Sequence, residues 1–243
     1  MSILYTISIR LYVIAIRFAA LFNAKAKLWV NGRKNIFQKI EEVTKGEQNI
    51  VWFHCASLGE FEQGKPIIEG YKQKYPSHKI LLTFFSPSGF EIRKNYEGVD
   101  WVFYLPADTK SNAKKFISIV KPIKVIFIKY EFWFNYMAEL KKQNISFYSV
   151  SAIFRDGQAF FKYKWWAEQL KNVTHFFVQD KTSADLLKSI GLTNHTISGD
   201  SRFDSVLSTT QNPKSFPLIK QFCKTQPTII CGSTWLKDET LLS

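Results

Sequence analysis

The chain has 243 residues, of which 46% are hydrophobic and 16% aromatic. This excludes a largely disordered chain and suits one large domain or one and a half. Lys and Arg number 33 against 20 Asp and Glu, a formal net charge of +13, which implies an anionic partner such as nucleic acid, a membrane surface or a phosphorylated substrate. Cys55, Cys223 and Cys231 are far apart and the four histidines are scattered. Zinc-knuckle, CxxC redox and HExxH chemistry therefore find no support. All three cysteines sit among apolar neighbours and are expected to be buried free thiols.

The charge is unevenly placed: residues 1–39 hold seven basic residues and no acidic one. Ile3 to Phe22 is almost wholly apolar, interrupted by Arg10 and Arg17. About 20 helical residues reach across a bilayer core, but two arginines inside a span are costly. A spanning helix and a helix lying in the membrane interface both fit. Arg10 and Arg17 are seven apart and so share a helical face. Lys25, Lys27, Arg33 and Lys34 follow, marking the cytoplasmic side of such a segment.

From Asn49 onward, short apolar runs alternate with amphipathic stretches. Strands are expected at 50–54, 80–85, 101–105, 125–129, 146–150, 176–179 and 196–198, all but the last rich in Val, Ile, Phe and Tyr. Helices are expected near 64–75, 88–95, 110–120, 132–143, 160–171 and 182–190. Thr182 with Asp185 reads as a helix start and Gly191 as its end. Alternation at this spacing predicts a parallel sheet with helices on both faces. Residues Thr209–Pro217 are polar with two prolines and read as a linker. Thr228–Cys231 then reads as the first strand of a further α/β domain, with the chain stopping inside its first helix, so a C-terminally truncated sequence is expected.

Ligands of open α/β sheets bind beyond the carboxyl ends of the strands. That rule selects Ser57-Leu58-Gly59-Glu60, Ser86-Pro87-Ser88-Gly89, Tyr130-Glu131 and Gly199-Asp200-Ser201-Arg202. The stretch Gly59–Pro66 nearly spells a nucleotide-binding P-loop. Pro66 stands where a magnesium-binding hydroxyl is needed, and Glu60 and Glu62 would repel phosphates.

At these rim positions the chain resembles the Kdo (3-deoxy-D-manno-oct-2-ulosonic acid) transferases. His54-Cys55-Ala56-Ser57-Leu58-Gly59-Glu60 is similar to their H-x-[AV]-S-[VL]-G-E, and Thr83–Gly89 to their T-x-[TF]-[ST]-P-[ST]-G. Glu131-Phe132-Trp133 matches E-[LF]-W, and Gly199–Asp204 matches G-[DS]-x-[KR]-F-D. Leu28–Lys34 fits an early basic stretch, and Gly232-Ser233-Thr234 the opening of the second domain. Phe134 departs from the family's proline, and Ala152–Arg155 from its A-R-L-S.

The resemblance implies a two-domain GT-B glycosyltransferase with Rossmann-like domains. It divides the chain into a membrane-anchoring or interfacial helix (1–24), an acceptor-binding α/β domain (25–208), a linker (209–226) and the start of a CMP-Kdo-binding domain (227–243). The reaction implied is inverting transfer of Kdo from CMP-Kdo to a phosphorylated lipid A precursor of the lipid IVA type, in lipopolysaccharide synthesis. It would take place at the cytoplasmic side of the bacterial inner membrane, with no cofactor, no metal and no nucleic acid. Glu60 is the expected general base. Glu131 would order it or stabilise the transition state, and Arg202 would offset charge on the departing phosphate or the sugar carboxylate. Ser57, Gly59, Ser86, Ser88, Gly89, Arg155, Gly232, Ser233 and Thr234 are expected to contact substrates. The alternatives are a membrane-associated GT-B enzyme using another nucleotide sugar, and a non-catalytic module that holds lipid phosphates.

Overall fold

The computed structural model describes residues 2–129, 131–211, 215–224 and 227–242, which fall into two units, Met1–Val206 and Leu207–Ser243. Three helices open the first: α1 (Ser2–Ala19), α2 (Ala24–Asn31) and α3 (Ile36–Thr44). Alternation follows as β1 (Ile50–Cys55), α4 (Leu58–Lys74), β2 (Lys79–Phe84), α5 (Pro87–Arg93), β3 (Trp101–Tyr104), α6 (Lys110–Val120), β4 (Lys124–Ile128) and α7 (Phe134–Lys142). It continues through β5 (Ser146–Ala152), α8 (Ala159–Lys162), α9 (Lys164–Leu170), β6 (His175–Val178), α10 (Lys181–Ser189), β7 (His195–Ile197) and α11 (Arg202–Gln211). The second unit holds α12 (Pro217–Cys223) and α13 (Leu236–Leu242).

All seven expected strands form, pairing in parallel in the order β3-β2-β1-β4-β5-β6-β7. Period-two alternation sends Trp52, Leu81, Val125 and Phe127 to one face, beneath α3, α6, α7, α9 and α10. Phe53, Leu82, Phe84 and Ile128 go to the other, beneath α4 and α5. Burial of both faces explains why these strands read as continuous apolar runs. The result is the α/β class the sequence implied.

α1 lies against this body. The Tyr5 hydroxyl donates to Asp108 Oδ2 at 2.6 Å, and Tyr12 packs on Trp29 and Phe85. Its other side leaves Ile3, Leu4, Leu11, Ile14 and Phe18 exposed. Among the described residues no helix is long and apolar enough to cross a membrane.

Several expectations are corrected. The helix expected from residue 64 begins at Leu58, and the one expected over 160–171 is two, parted at Tyr163. The cap of α10 is Asp180, which accepts from the Ser183 N–H, and not Thr182; Gly191, at φ +80°, does follow its end. Of the expected linker, 209–211 belong to α11, and 212–214 lie outside the described residues. Residues 228–231, expected as a strand, pair with no strand among the described residues. Only Cys55 is buried; Cys223 is half-buried and Cys231 exposed. Both belong to the small second unit, where Leu218, Phe222, Ile229 and Ile230 are exposed too.

Candidate functional site

Strand order reverses between β1 and β4: the chain runs from β1 outward to β3, then returns to β1's other side. The loops leaving these two adjacent strands therefore diverge, and a crevice opens at their carboxyl ends. The first loop delivers Ser57 and Glu60, the second Lys129 and Glu131. Tyr130 lies outside the described residues.

Glu60 sits in the first turn of α4, where a helix N-terminus favours a carboxylate. The near-P-loop Gly59–Lys65 is thus helical, not a phosphate-cradling loop. Two helix-breaking residues let α4 run there. A Cβ on Gly64 would stand 2.9 Å from Ile128 Cγ1 and 3.1 Å from Cys55 Sγ, so glycine permits the helix to press on β1 and β4. Pro66 cannot donate to the Glu62 carbonyl; the Ser205 hydroxyl does so instead at 3.0 Å. Gln63 Nε2 donates to Asp200 Oδ1 at 3.1 Å, fixing the Gly199–Asp204 loop on the same helix.

The Ser57 hydroxyl donates to Glu60 Oε2, and Lys129 Nζ donates to Oε1 at 3.1 Å. Burial pushes the Glu60 carboxyl up, but these two donors and the lysine charge outweigh it and hold the group below its ordinary value. Glu131 behaves oppositely: burial, then the charge of Glu60, push it up to about 7, against the opposing pull of Lys129. One carboxylate holds the ammonium while the other only feels its charge, and the two are driven apart in proton affinity, a pattern found at acid–base centres. Lys129 reaches this place from a left-handed backbone, φ +65°, costing about 1–3 kcal/mol for a non-glycine residue. The strain is held by Ser149 Oγ, which donates to the Lys129 carbonyl at 2.7 Å.

Beneath the site His54 is fully buried. Trp133 Nε1 donates to its Nε2 at 3.3 Å, so Nδ1 carries the hydrogen and donates to Thr83 Oγ1 at 2.9 Å. Burial pushes the imidazole down to about 3, leaving it neutral. Phe134, which replaces the family's proline, is buried against Tyr5, Trp165 and Trp166.

The Ser86 loop adjoins the β1 loop, as the Phe85 and Ser86 N–H groups both donate to the Ala56 carbonyl, at 3.2 and 2.8 Å. Ser86 caps α5 and meets Ser88 Oγ at 3.0 Å. A Cβ on Gly89 would be 3.0 Å from the Ser57 carbonyl carbon. Arg33 braces this rim, donating to the carbonyls of Phe85 at 2.8 Å, Leu105 at 2.9 Å and Trp29 at 3.0 Å.

Arg202 and Arg155 take no part in the hydrogen bonds of this cluster. Arg202 is exposed and forked onto Asp200, with Nε at 2.8 Å. Arg155 is exposed, its N–H donating to Gln158 Oε1 at 3.2 Å. Gly232, Ser233 and Thr234 belong to the second unit, where Thr234 Oγ1 donates to Glu239 Oε1 at 3.1 Å. Sequence reasoning assigned no role to Lys129, His54 or Asp108. Lys129 had a legible signal, a cation ending an apolar strand one residue before the Tyr130–Glu131 loop.

The family described as 3-deoxy-D-manno-octulosonic-acid transferase (kdotransferase) matches residues 30–205. The 3-deoxy-D-manno-octulosonic acid transferase of Aquifex aeolicus is 36% identical over 101 residues, 41% of this chain and 27% of that protein. The same-named protein of Haemophilus influenzae is 31% identical over 103 residues, 42% and 24% of the two chains. That of Chlamydia muridarum is 23% identical over 219 residues, 86% and 51%. This chain thus spans about a quarter to a half of the length of these curated relatives. A solved UDP-N-acetylglucosamine 2-epimerase superposes with a TM-score of 0.54 at 15% identity, covering 72% of this chain and 55% of that one. The Neisseria meningitidis UDP-GlcNAc 2-epimerase gives 0.52 at 14%, covering 72% and 53%; both are likenesses of fold alone. With the family matched over residues 30–205, well over half of the chain and the whole of the sheet, the chain belongs to the 3-deoxy-D-manno-octulosonic-acid transferase family.

Proposed function

We propose that this chain is the acceptor side of a GT-B glycosyltransferase that moves Kdo from CMP-Kdo to a hydroxyl of a phosphorylated lipid A precursor. The observation that carries this reading is the Glu60–Lys129–Glu131 cluster at the switch point in a chain of this family. In the proposed step the acceptor hydroxyl lies against Glu60, whose carboxylate oxygens retain free lone pairs beside the bonds from Ser57 and Lys129. As the hydroxyl oxygen attacks the anomeric carbon, its proton passes to Glu60 and CMP leaves from the opposite face, inverting the centre. Glu131, when ionised, raises the proton affinity of Glu60 by like-charge repulsion. Ser86, Ser88 and Gly89 shape the acceptor pocket. Arg202 exchanges Asp200 for an anionic group of the donor, and Gly232, Ser233 and Thr234 serve the same donor. Arg155 contacts substrate from the β5 side, and no metal or cofactor takes part.

The exposed apolar side of α1, with Arg10 and Arg17, supports attachment at the cytoplasmic face of the inner membrane. The test is transfer from CMP-Kdo, compared with UDP-sugars, to a phosphorylated diglucosamine lipid by a protein of the relatives' length that carries this chain. Transfer from CMP-Kdo alone is expected. Turnover of a UDP-sugar with no use of CMP-Kdo would replace this reading by that of a different glycosyltransferase, and binding without donor consumption would replace it by a lipid-phosphate module.

A further inference from the structure

Beside the rim, α1, the α2–α3 turn and α6 enclose a cleft of about 640 Å³. Four cationic side chains from these three places line it: Arg17, Arg33, Lys34 and Lys115. No carboxylate residue is among its lining, and none of the four forms an ion pair with a described carboxylate. Arg33 is the telling member. Its guanidinium stacks 3.8 Å over the Trp29 ring and donates only to neutral carbonyls. A largely buried cation without a counter-ion is costly; burial pushes Arg33 down to about 9. An anion in the cleft would supply what the fold withholds. The first turn of α3 borders the same space through Ile36, Phe37 and Gln38, adding the positive end of a helix.

The position matters as much as the charge. Trp29 forms a wall shared with a second, more apolar cleft of about 330 Å³, which Tyr12, Ile16 and Ala19 of α1 line together with Ser86 and Pro87. Arg33 itself holds the Phe85 carbonyl, one residue before Ser86. Charge on one side of Trp29 and apolar surface running to the rim on the other suit an amphiphile with a phosphate near its sugar.

We propose that the cleft of Arg17, Arg33, Lys34 and Lys115 is a phosphate-monoester subsite that anchors the lipid acceptor while its sugar hydroxyl reaches the Ser86 rim. That the phosphate is the acceptor's rests on the Kdo-transfer reading; the subsite itself rests on the cleft.

The test is vesicle co-sedimentation of this 243-residue chain. The vesicles are phosphatidylcholine doped with a bisphosphorylated diglucosamine lipid, with the same lipid dephosphorylated, or with phosphatidic acid at equal phosphate. Lys34 and Lys115 are exposed, so Lys34→Ala/Lys115→Ala leaves the fold intact. Lys141→Ala/Lys142→Ala removes equal charge from the far end of α7. The cleft variant should lose roughly tenfold in affinity for the phosphorylated lipid and little for the dephosphorylated one, while the α7 variant changes less than about twofold. Stronger cleft-dependent binding of the diglucosamine lipid than of phosphatidic acid supports the acceptor as the source. Equal cleft-dependent binding of both keeps the subsite and overturns the acceptor assignment. Equal losses in the two variants, or wild-type binding of the dephosphorylated lipid as tight as that of the phosphorylated one, would overturn the subsite. No donor is present, so this result is independent of whether Kdo is transferred.

Discussion

Trp133 hands its indole hydrogen to His54 Nε2, and that single bond joins the loop after β4 to the strand that feeds Glu60. Two stretches far apart in sequence, His54–Glu60 and Glu131–Trp133, are thereby one structure. Their charged ends meet at Lys129, whose ammonium is bonded to Glu60 and whose charge also acts on Glu131. The buried imidazole is a positioning group, neutral and fixed in one tautomer by Trp133 and Thr83.

Trp133→Phe keeps an aromatic ring of smaller size but leaves His54 Nε2 without its donor. An unpaired buried acceptor costs about 1–3 kcal/mol, which urea denaturation would read as a lower midpoint at unchanged slope. Transfer should fall more through kcat than KM, because Glu131 stands two residues away. Unchanged stability and unchanged kcat would remove His54 from the account.

Ser205 and Pro66 make a coupled pair. Ser205→Ala strips the Glu62 carbonyl of the donor that replaces the missing N–H of Pro66, costing about 1 kcal/mol. In a Pro66→Ala background the helix supplies its own N–H, and the cost of Ser205→Ala should shrink. A double-mutant cycle on denaturation free energies measures the coupling; strict additivity would contradict it.

The seven strands were legible because parallel strands buried on both faces are continuous apolar runs. What escaped the sequence was set by tertiary contact. Gly59, Gly64 and Pro66 argue against a helix locally, yet α4 begins at Leu58, since Gly64 is needed for close approach to Ile128 and Ser205 compensates Pro66. α2 and α3 were obscured by the basic, polar stretch around them; in α3 only Ile36, Ile40 and Thr44 face inward. The rim rule found Ser57, Glu60, Ser86 and Glu131 together. It passed over Lys129: the cation at the strand's end was legible, but the left-handed backbone that aims it into the site was not.

Asp108 clamps α1 to the start of α7, accepting from Tyr5 at 2.6 Å and from the N–H groups of Asn135 and Tyr136, both at 3.0 Å. Burial, partly opposed by these donors, pushes its carboxyl up to about 6 from an ordinary 3.8. The folded state therefore binds this proton more tightly than the unfolded chain. Its contribution is complete below about pH 4 and is lost as pH climbs through 6. The stability of the wild type relative to Asp108→Asn should fall by about 2 kcal/mol between pH 4 and 7. A pH-independent difference would contradict the burial of that charge.

Glu131 predicts the pH profile of transfer. Below about pH 7 it takes up a proton, its repulsion of Glu60 ends, and Glu60 becomes a weaker base. kcat should fall on that limb. Glu131→Gln fixes the neutral state, so its rate should be low and flat across pH 6 to 8. Lys129→Met removes the charge that lowers both carboxyls and should move the limb upward. A wild-type limb retained in Glu131→Gln would assign it to another group.

The central claim is that Glu60 accepts the acceptor's proton. The direct measurement is single-turnover Kdo transfer by Glu60→Gln, in a protein of the relatives' length carrying this chain, with lipid binding measured in parallel. The amide keeps the shape and the Ser57 contact but has no basicity. Transfer is predicted to drop by about 10²–10⁴-fold with lipid binding within about twofold of wild type. Near-wild-type transfer by Glu60→Gln would contradict the claim and leave Glu131 as the base.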